Sequence, residues 1–258
     1  VMELPNSQSP DALELWKKEV IKFKEKLESH FGVTITEEQV RQAVRVKNEE
    51  RRALKEFYKV MQLNPAPMLG ADLYKVLYGS TFKFNKEEIP GEVRALTQRV
   101  LESYDDGTPD CPKNKFAGRP RILITGSPIG GATEEDNGAQ VVVYENCSGA
   151  KSVDELVDED AEDIYDALAR RYLNIGCSCM TPNPNRFQLM GRLIDEYQVD
   201  AVVDVVLQAC HTYNVETYNI KKFVTEEKKI PYLSLETDYS TSDVGQLSTR
   251  LAAFVEML

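Results

Sequence analysis

The sequence predicts an α/β fold, a doubly wound parallel sheet preceded by an all-helical region. Two observations carry that reading. Residues 10–105 keep to helical period throughout, and beyond the Pro-, Gly- and charge-rich loop DDGTPDCPKNKFAGRP short apolar runs begin to alternate with helices. Those runs are almost continuously hydrophobic, which suits parallel strands covered on both faces. The change of character places a helical region at 1–106 and a sheet domain at 107–258.

The elements follow in order. Pro10 and Asp11 open a first helix whose apolar positions, Leu13, Trp16, Val20, Phe23 and Leu27, recur at helical spacing until Gly32 stops it. Thr36 and Gln39 have the spacing of a capping box, and Val40, Val44, Ala53, Leu54 and Phe57 mark a long second helix whose interleaved charges read as a solvated face. ADLYKVLYGS and EVRALTQRVLESY read as a third and a fourth helix. The expected strands are RILITG (121–126), AQVVVYE (139–145), DAVVDVVLQ (200–208) and PYLSLET (231–237). DELVDEDAEDIYDALARRYL, NRFQLMGRLIDEYQ, NVETYNIKKFVTEEKK and SDVGQLSTRLAAFVEML read as the helices between and after them. One crossover is short. Only GSPIGGATEEDNG joins the first two strands, so a shortened or missing helix is expected there, with uncertain loop geometry around Gly130 and Gly131.

Bulk properties narrow the function classes. The chain has 258 residues, 42% of them hydrophobic, enough to bury a core. A formal net charge of −11 argues against non-specific binding to nucleic acid, which needs clustered Lys and Arg. No run is long and apolar enough for a membrane span, and Glu3, Asp11 and Glu14 are unlike a signal peptide, so a cytoplasmic location is the expectation. The chain begins at Val1 without an initiator Met, and part of a longer protein is expected. Five cysteines at these spacings do not form a secreted disulfide framework, so thiols or metal-bound thiolates are expected instead.

In open parallel sheets ligands bind beyond the carboxyl ends of the strands, and cysteines fall there. Cys147 and Cys210 each follow a strand by one residue, and Cys177 lies in the Gly-turned loop NIGCSCM. Three soft thiolates with little histidine nearby favour iron–sulfur or zinc over hard cations. The bland alternative is that each is a small buried hydrophobe. Cys179, two residues from Cys177, is open between ligand, redox partner and spare thiol. Cys111, before the first strand, reads as structural. Glu145 and His211 flank the cysteines and are candidates for a proton relay, against the plainer reading that they hydrogen-bond a loop, as do Gln208 and Tyr213. GSPIGGAT is open between a weak phosphate-binding turn and a tight turn that needs glycine.

The segments YENCSG (144–149), YLNIGCSCMTPNPNR (172–186), VDVVLQACHTYNVE (203–216) and PYLSLETDYS (231–240) together resemble the 2-hydroxyacyl-CoA dehydratase and benzoyl-CoA reductase superfamily, most of all its double-cubane cluster proteins. The resemblance covers residues 121–258, and the helical region fits less distinctively. It implies two related Rossmann-like domains with helical additions, this chain holding the second domain, with the first upstream of Val1. It further implies an iron–sulfur cofactor, either a double cubane of the 8Fe–9S type or a single 4Fe–4S cluster, with Cys147, Cys177 and Cys210 as the ligands from this half. The implied activity is low-potential reduction of a small molecule, driven by an ATP-hydrolysing iron–sulfur activator. The alternative within the superfamily is a subunit of a 2-hydroxyacyl-CoA dehydratase, a radical lyase. A homodimer in an anaerobic cytoplasm is the implied setting. A cluster-free α/β binding module is the alternative from another class.

Overall fold

The structure, a computed structural model, describes residues 1–128, 137–238, 240 and 244–258. Four strands form its sheet: β1 (Arg121–Gly126), β2 (Gln140–Tyr144), β3 (Ala201–Leu207) and β4 (Tyr232–Thr237). Every neighbouring pair is parallel, in the order β2-β1-β3-β4. All residues of β1 and β2 are buried, as their continuous Val and Ile content predicts. The edge strand β4 is only half covered, and its residues alternate more. The chain leaves β1 for β2 on one side and later crosses to β3 and β4 on the other. This is the Rossmann-like, doubly wound arrangement, with its switch point between β1 and β3.

The helices are α1 (Pro10–Phe31), α2 (Glu37–Lys59), α3 (Gly70–Ser80), α4 (Ile89–Tyr104), α5 (Ile164–Leu173), α6 (Pro184–Glu196), α7 (His211–Lys222) and α8 (Val244–Val255). Ser9 caps α1 by accepting from the Ala12 amide, and Thr36 and Gln39 form the expected capping box on α2. A single apolar core joins the helical region to the sheet: Phe57, Met61 and Leu73 lie in one cluster with Ile122, Val141 and Val203. Arg121, at the start of β1, adds a polar seam. Its buried guanidinium donates to the carbonyls of Met61 at 2.7 Å, Leu63 at 2.9 Å and Tyr197 at 2.9 Å.

Two readings need correction. The charges of α2 are not all on a solvated face. Asn48, Glu50 and Arg51 are buried, and Asn48 makes a two-way amide pairing with the Val157 backbone, donating to its carbonyl at 2.8 Å and accepting from its amide at 3.0 Å. Arg51 spans from Asn48 to the Tyr172 hydroxyl. The stretch expected as one helix from Asp154 to Leu173 is irregular up to Asp163, following a single turn at Ala150–Val153, and only then becomes α5. Helix α2 meets backbone groups of that irregular segment in place of helix hydrogen bonds: Asn48 takes Val157, and Arg41 donates to the carbonyls of Ala161 and Glu162, each at 3.0 Å. The short crossover, with Gly130 and Gly131, lies outside the described residues.

Candidate functional site

The carboxyl ends of β1 and β3 are stitched together by a single residue. Gly126 ends β1 with φ +97°, a backbone that L side chains rarely adopt, and a Cβ there would meet the Val205 carbonyl oxygen at 2.2 Å. Ser127 then donates its amide to that same carbonyl at 2.7 Å and accepts from the Leu207 amide at 3.1 Å through its hydroxyl. Beyond β3 the chain turns at Ala209, whose φ of +64° costs an alanine about 1 kcal/mol. The strained turn sets Cys210 as the residue before α7.

Three cysteine-bearing loops meet at this edge of the sheet. Cys147 is exposed after β2, and Cys177, Cys179 and Cys210 are half-buried. Ser178 donates to Thr212 at 3.1 Å, which ties the Cys177 loop to the Cys210 loop. Tyr213 Oη lies 3.4 Å from Cys147 Sγ, which ties the β2 loop to α7. The Cys177 loop also rests on the helical region, since the Thr181 amide donates to the Asn6 carbonyl at 2.8 Å and Cys177 and Cys179 pack with Ala12 and Met180. Gly176 is needed for its approach to α6: a Cβ there would meet the Arg186 backbone at 2.6 Å.

The four sulfurs sit in different electrostatic surroundings. The Cys210 thiol is pulled below its ordinary pKa, first by the backbone amide of Tyr213, with the hydroxyls of Thr212 and Ser127 helping. It is therefore the most readily ionised of those with a resolved shift. Burial pushes Cys179 up to about 11, and its thiol donates to Cys177 Sγ at 3.4 Å. Cys111 is buried and precedes a one-turn helix before β1, in keeping with a structural role. No three Cys, His, Asp or Glu side chains among the described residues converge on a point that one metal ion could occupy.

The structure separates the two relay candidates. His211 is exposed at the start of α7 and lines an open cavity of about 870 Å³ that Cys179, Phe187, Val215 and Phe223 also border. Glu145 is fully buried beneath the cysteine loops. Its Oε1 pairs with Lys151 Nζ at 2.8 Å, and its Oε2 accepts from the Thr125 hydroxyl at 2.5 Å and faces Arg186 Nε at 3.5 Å. Arg186 also pairs with Glu216 and donates to Thr125 at 2.9 Å. Gln208 is exposed and uses its backbone amide to bond the Thr237 carbonyl at 2.7 Å.

Sequence reasoning passed over Lys151 and Arg186. A signal for Arg186 was present, because it stands in phase with Met190, Leu193 and Ile194 on the buried face of α6. A charge on a core-facing stripe needs a buried partner. Lys151 gives less warning, since a one-turn helix has no period to read.

A family model described as the D-component of 2-hydroxyglutaryl-CoA dehydratase matches residues 1–258. YjiM of Escherichia coli K12, named as a dehydratase subunit, is 52% identical over 265 residues, which take in the whole chain and 67% of that relative. The (R)-phenyllactyl-CoA dehydratase beta subunit of Clostridium sporogenes is 24% identical over 91% of the chain and 61% of its own length. The beta subunit of (R)-2-hydroxyglutaryl-CoA dehydratase from Acidaminococcus fermentans is 22% identical over 90% of the chain and 61% of its own length. The chain thus spans about two thirds of the length of the relatives it matches.

Proposed function

The chain belongs to the 2-hydroxyglutaryl-CoA dehydratase D-component family, and from that premise we propose that it is the cluster-bearing part of a dehydratase-type subunit acting on a 2-hydroxyacyl thioester. The observation that carries the reading is the meeting of three cysteine loops at the switch edge of the sheet, joined by Ser178–Thr212 and by Tyr213–Cys147. Cys147, Cys177 and Cys210 would hold an iron–sulfur cluster. Each cysteine of a cubane binds a different iron, so the three sulfurs need not meet at one point.

A bound cluster would supply single electrons at low potential. The residues of this chain do the rest. Cys210 offers a sulfur already biased toward thiolate, and the buried ion pairs of Glu145, Lys151 and Arg186 hold the loops from beneath. The cavity beside Cys179 joins apolar walls at Phe187 and Phe223 to polar groups at Asn183 and Lys222, a lining suited to an acyl group with a polar end. His211 at its rim is the candidate for moving a proton there, whereas Glu145, locked in two ion pairs, serves to orient. An ATP-hydrolysing activator, a second copy of the subunit and residues beyond this chain are the partners this reading requires.

The low-potential reductase reading shares the ligands and differs in iron count and in substrate. It is supported by the presence of all three cysteine motifs. Anaerobically purified whole protein is expected to carry iron and acid-labile sulfide that Cys147→Ser, Cys177→Ser and Cys210→Ser each deplete, and to dehydrate a 2-hydroxyacyl-CoA once activator and ATP are added. Close to eight irons per chain and no turnover of any such thioester would move the assignment to the reductase. Metal content unchanged in all three variants would remove the cluster altogether.

A further inference from the structure

Tyr213 is the third residue of α7, and α7 presents it inward: the side chain is 6% exposed although its neighbours Thr212 and Asn214 face solvent. Its hydroxyl lies 3.4 Å from Cys147 Sγ and 3.4 Å from Lys151 Nζ. Its ring carries the Arg186 guanidinium 4.9 Å from the centroid and the Lys151 ammonium 5.4 Å away. Both cations are tied down in turn, Lys151 to Glu145 at 2.8 Å, and Arg186 to Glu216 and Thr125. The ring is therefore held by two cations that are themselves fixed.

The donor inventory settles which way the proton points. A lysine ammonium has hydrogens to give and no lone pair, so toward Lys151 the Tyr213 oxygen can only accept. Its single proton is then left for Cys147. Of the other cysteines, Cys210 has the Thr212 hydroxyl 3.8 Å from its sulfur, and Cys177 receives the Cys179 thiol at 3.4 Å. At Cys147 the hydroxyl of Tyr213 is a single, removable oxygen that is itself backed by a buried cation.

We propose that Tyr213 is a positioning residue that donates a hydrogen bond to the Cys147 sulfur, backed by Lys151, and so raises the reduction potential of the cluster that Cys147 holds. A hydrogen bond to a ligand sulfur stabilises the reduced cluster, which carries the extra negative charge, more than the oxidised one. The proposal rests on the cluster reading above and gives a role to a buried aromatic that the ligand set alone does not need.

The test is a redox titration of whole, anaerobically reconstituted protein, read by the electron paramagnetic resonance signal of the reduced cluster, with iron counted in the same samples. Tyr213→Phe is expected to retain the wild-type iron and to show about a tenfold smaller reduced-to-oxidised ratio at a fixed potential, equivalent to a midpoint about 59 mV lower for one electron. Equal midpoints with equal iron would overturn the role of Tyr213 and leave the cluster standing. Wild-type protein without iron would instead overturn the cluster reading, and this inference with it. Should Tyr213→Phe lose its iron, Tyr213→3-fluorotyrosine decides: a stronger donor of nearly the same volume raises the midpoint, and an unmoved midpoint overturns the proposal.

Discussion

Asp204 shows how a single buried residue makes stability depend on pH. It lies mid-strand in β3, 1% exposed, with the Tyr232 hydroxyl donating to one carboxyl oxygen at 2.7 Å and no partner on the other among the described residues. Burial raises its pKa above the ordinary carboxylate value; Tyr232 and Arg186 oppose the rise, and Glu145 and Glu216 add to it. The folded protein thus holds this proton more tightly than the unfolded chain does. Stability should fall as pH rises from the unfolded value of about 4 through the raised folded one, and level off above it. Asp204→Asn has no proton to lose, so its stability relative to wild type should improve with increasing pH, as read from urea midpoints across that range. A pH-independent difference would show that Asp204 does not titrate there. At this scale the sequence was informative about which residues lie on the strand ends and poor about what lies beneath them. Cys147, Cys177 and Cys210 could be picked out by position after strands and a Gly turn. Lys151, Arg186 and the inward face of Tyr213 depend on which way a short helix rolls, and that is set by tertiary packing.

Among the elements, periodicity located all four strands to within two residues and placed the capped starts of α1 and α2. It misjudged α2 because a charged residue looks solvated when only its own helix is considered. Asn48 bonds the Val157 backbone, 109 positions away, as well as Arg51 and Glu159. Asn48 acts as a surrogate strand edge for the irregular segment between the Ala150–Val153 turn and α5, meeting both the donor and the acceptor of Val157. Asn48→Ala leaves both groups buried and unmet and should destabilise the protein by about 2 to 4 kcal/mol. A denaturant titration measures the loss. Hydrogen exchange should locate it, with the Val157 amide losing protection while the amides of β1 and β3 keep theirs. Protection lost evenly across the sheet would mean that Asn48 supports the whole core instead.

For the molecule as a whole, composition draws a boundary near residue 106 that the core does not respect. The pattern change is real, since no strand precedes Arg121 among the described residues, yet Phe57, Met61 and Leu73 are completely buried in the same cluster as β1, β2 and β3. Each such side chain contributes about 1.5 to 3 kcal/mol when covered. The polar seam points the same way: of the three carbonyls that Arg121 satisfies, two belong to Met61 and Leu63, and Tyr58 gives its hydroxyl to the Tyr144 carbonyl while accepting from the Tyr144 amide. That last pair covers the outer edge of β2 at Tyr144, so there α2 does for the sheet what a further strand would otherwise do. A fragment of residues 107–258 would expose this apolar face, leave the Arg121 guanidinium short of partners and open the β2 edge. It should therefore lack a cooperative unfolding transition and associate through the bared strand, whereas the whole chain unfolds in one step. Calorimetry and light scattering on both would decide, and a monomeric fragment with a sharp transition of its own would show that the compositional boundary is also a folding boundary.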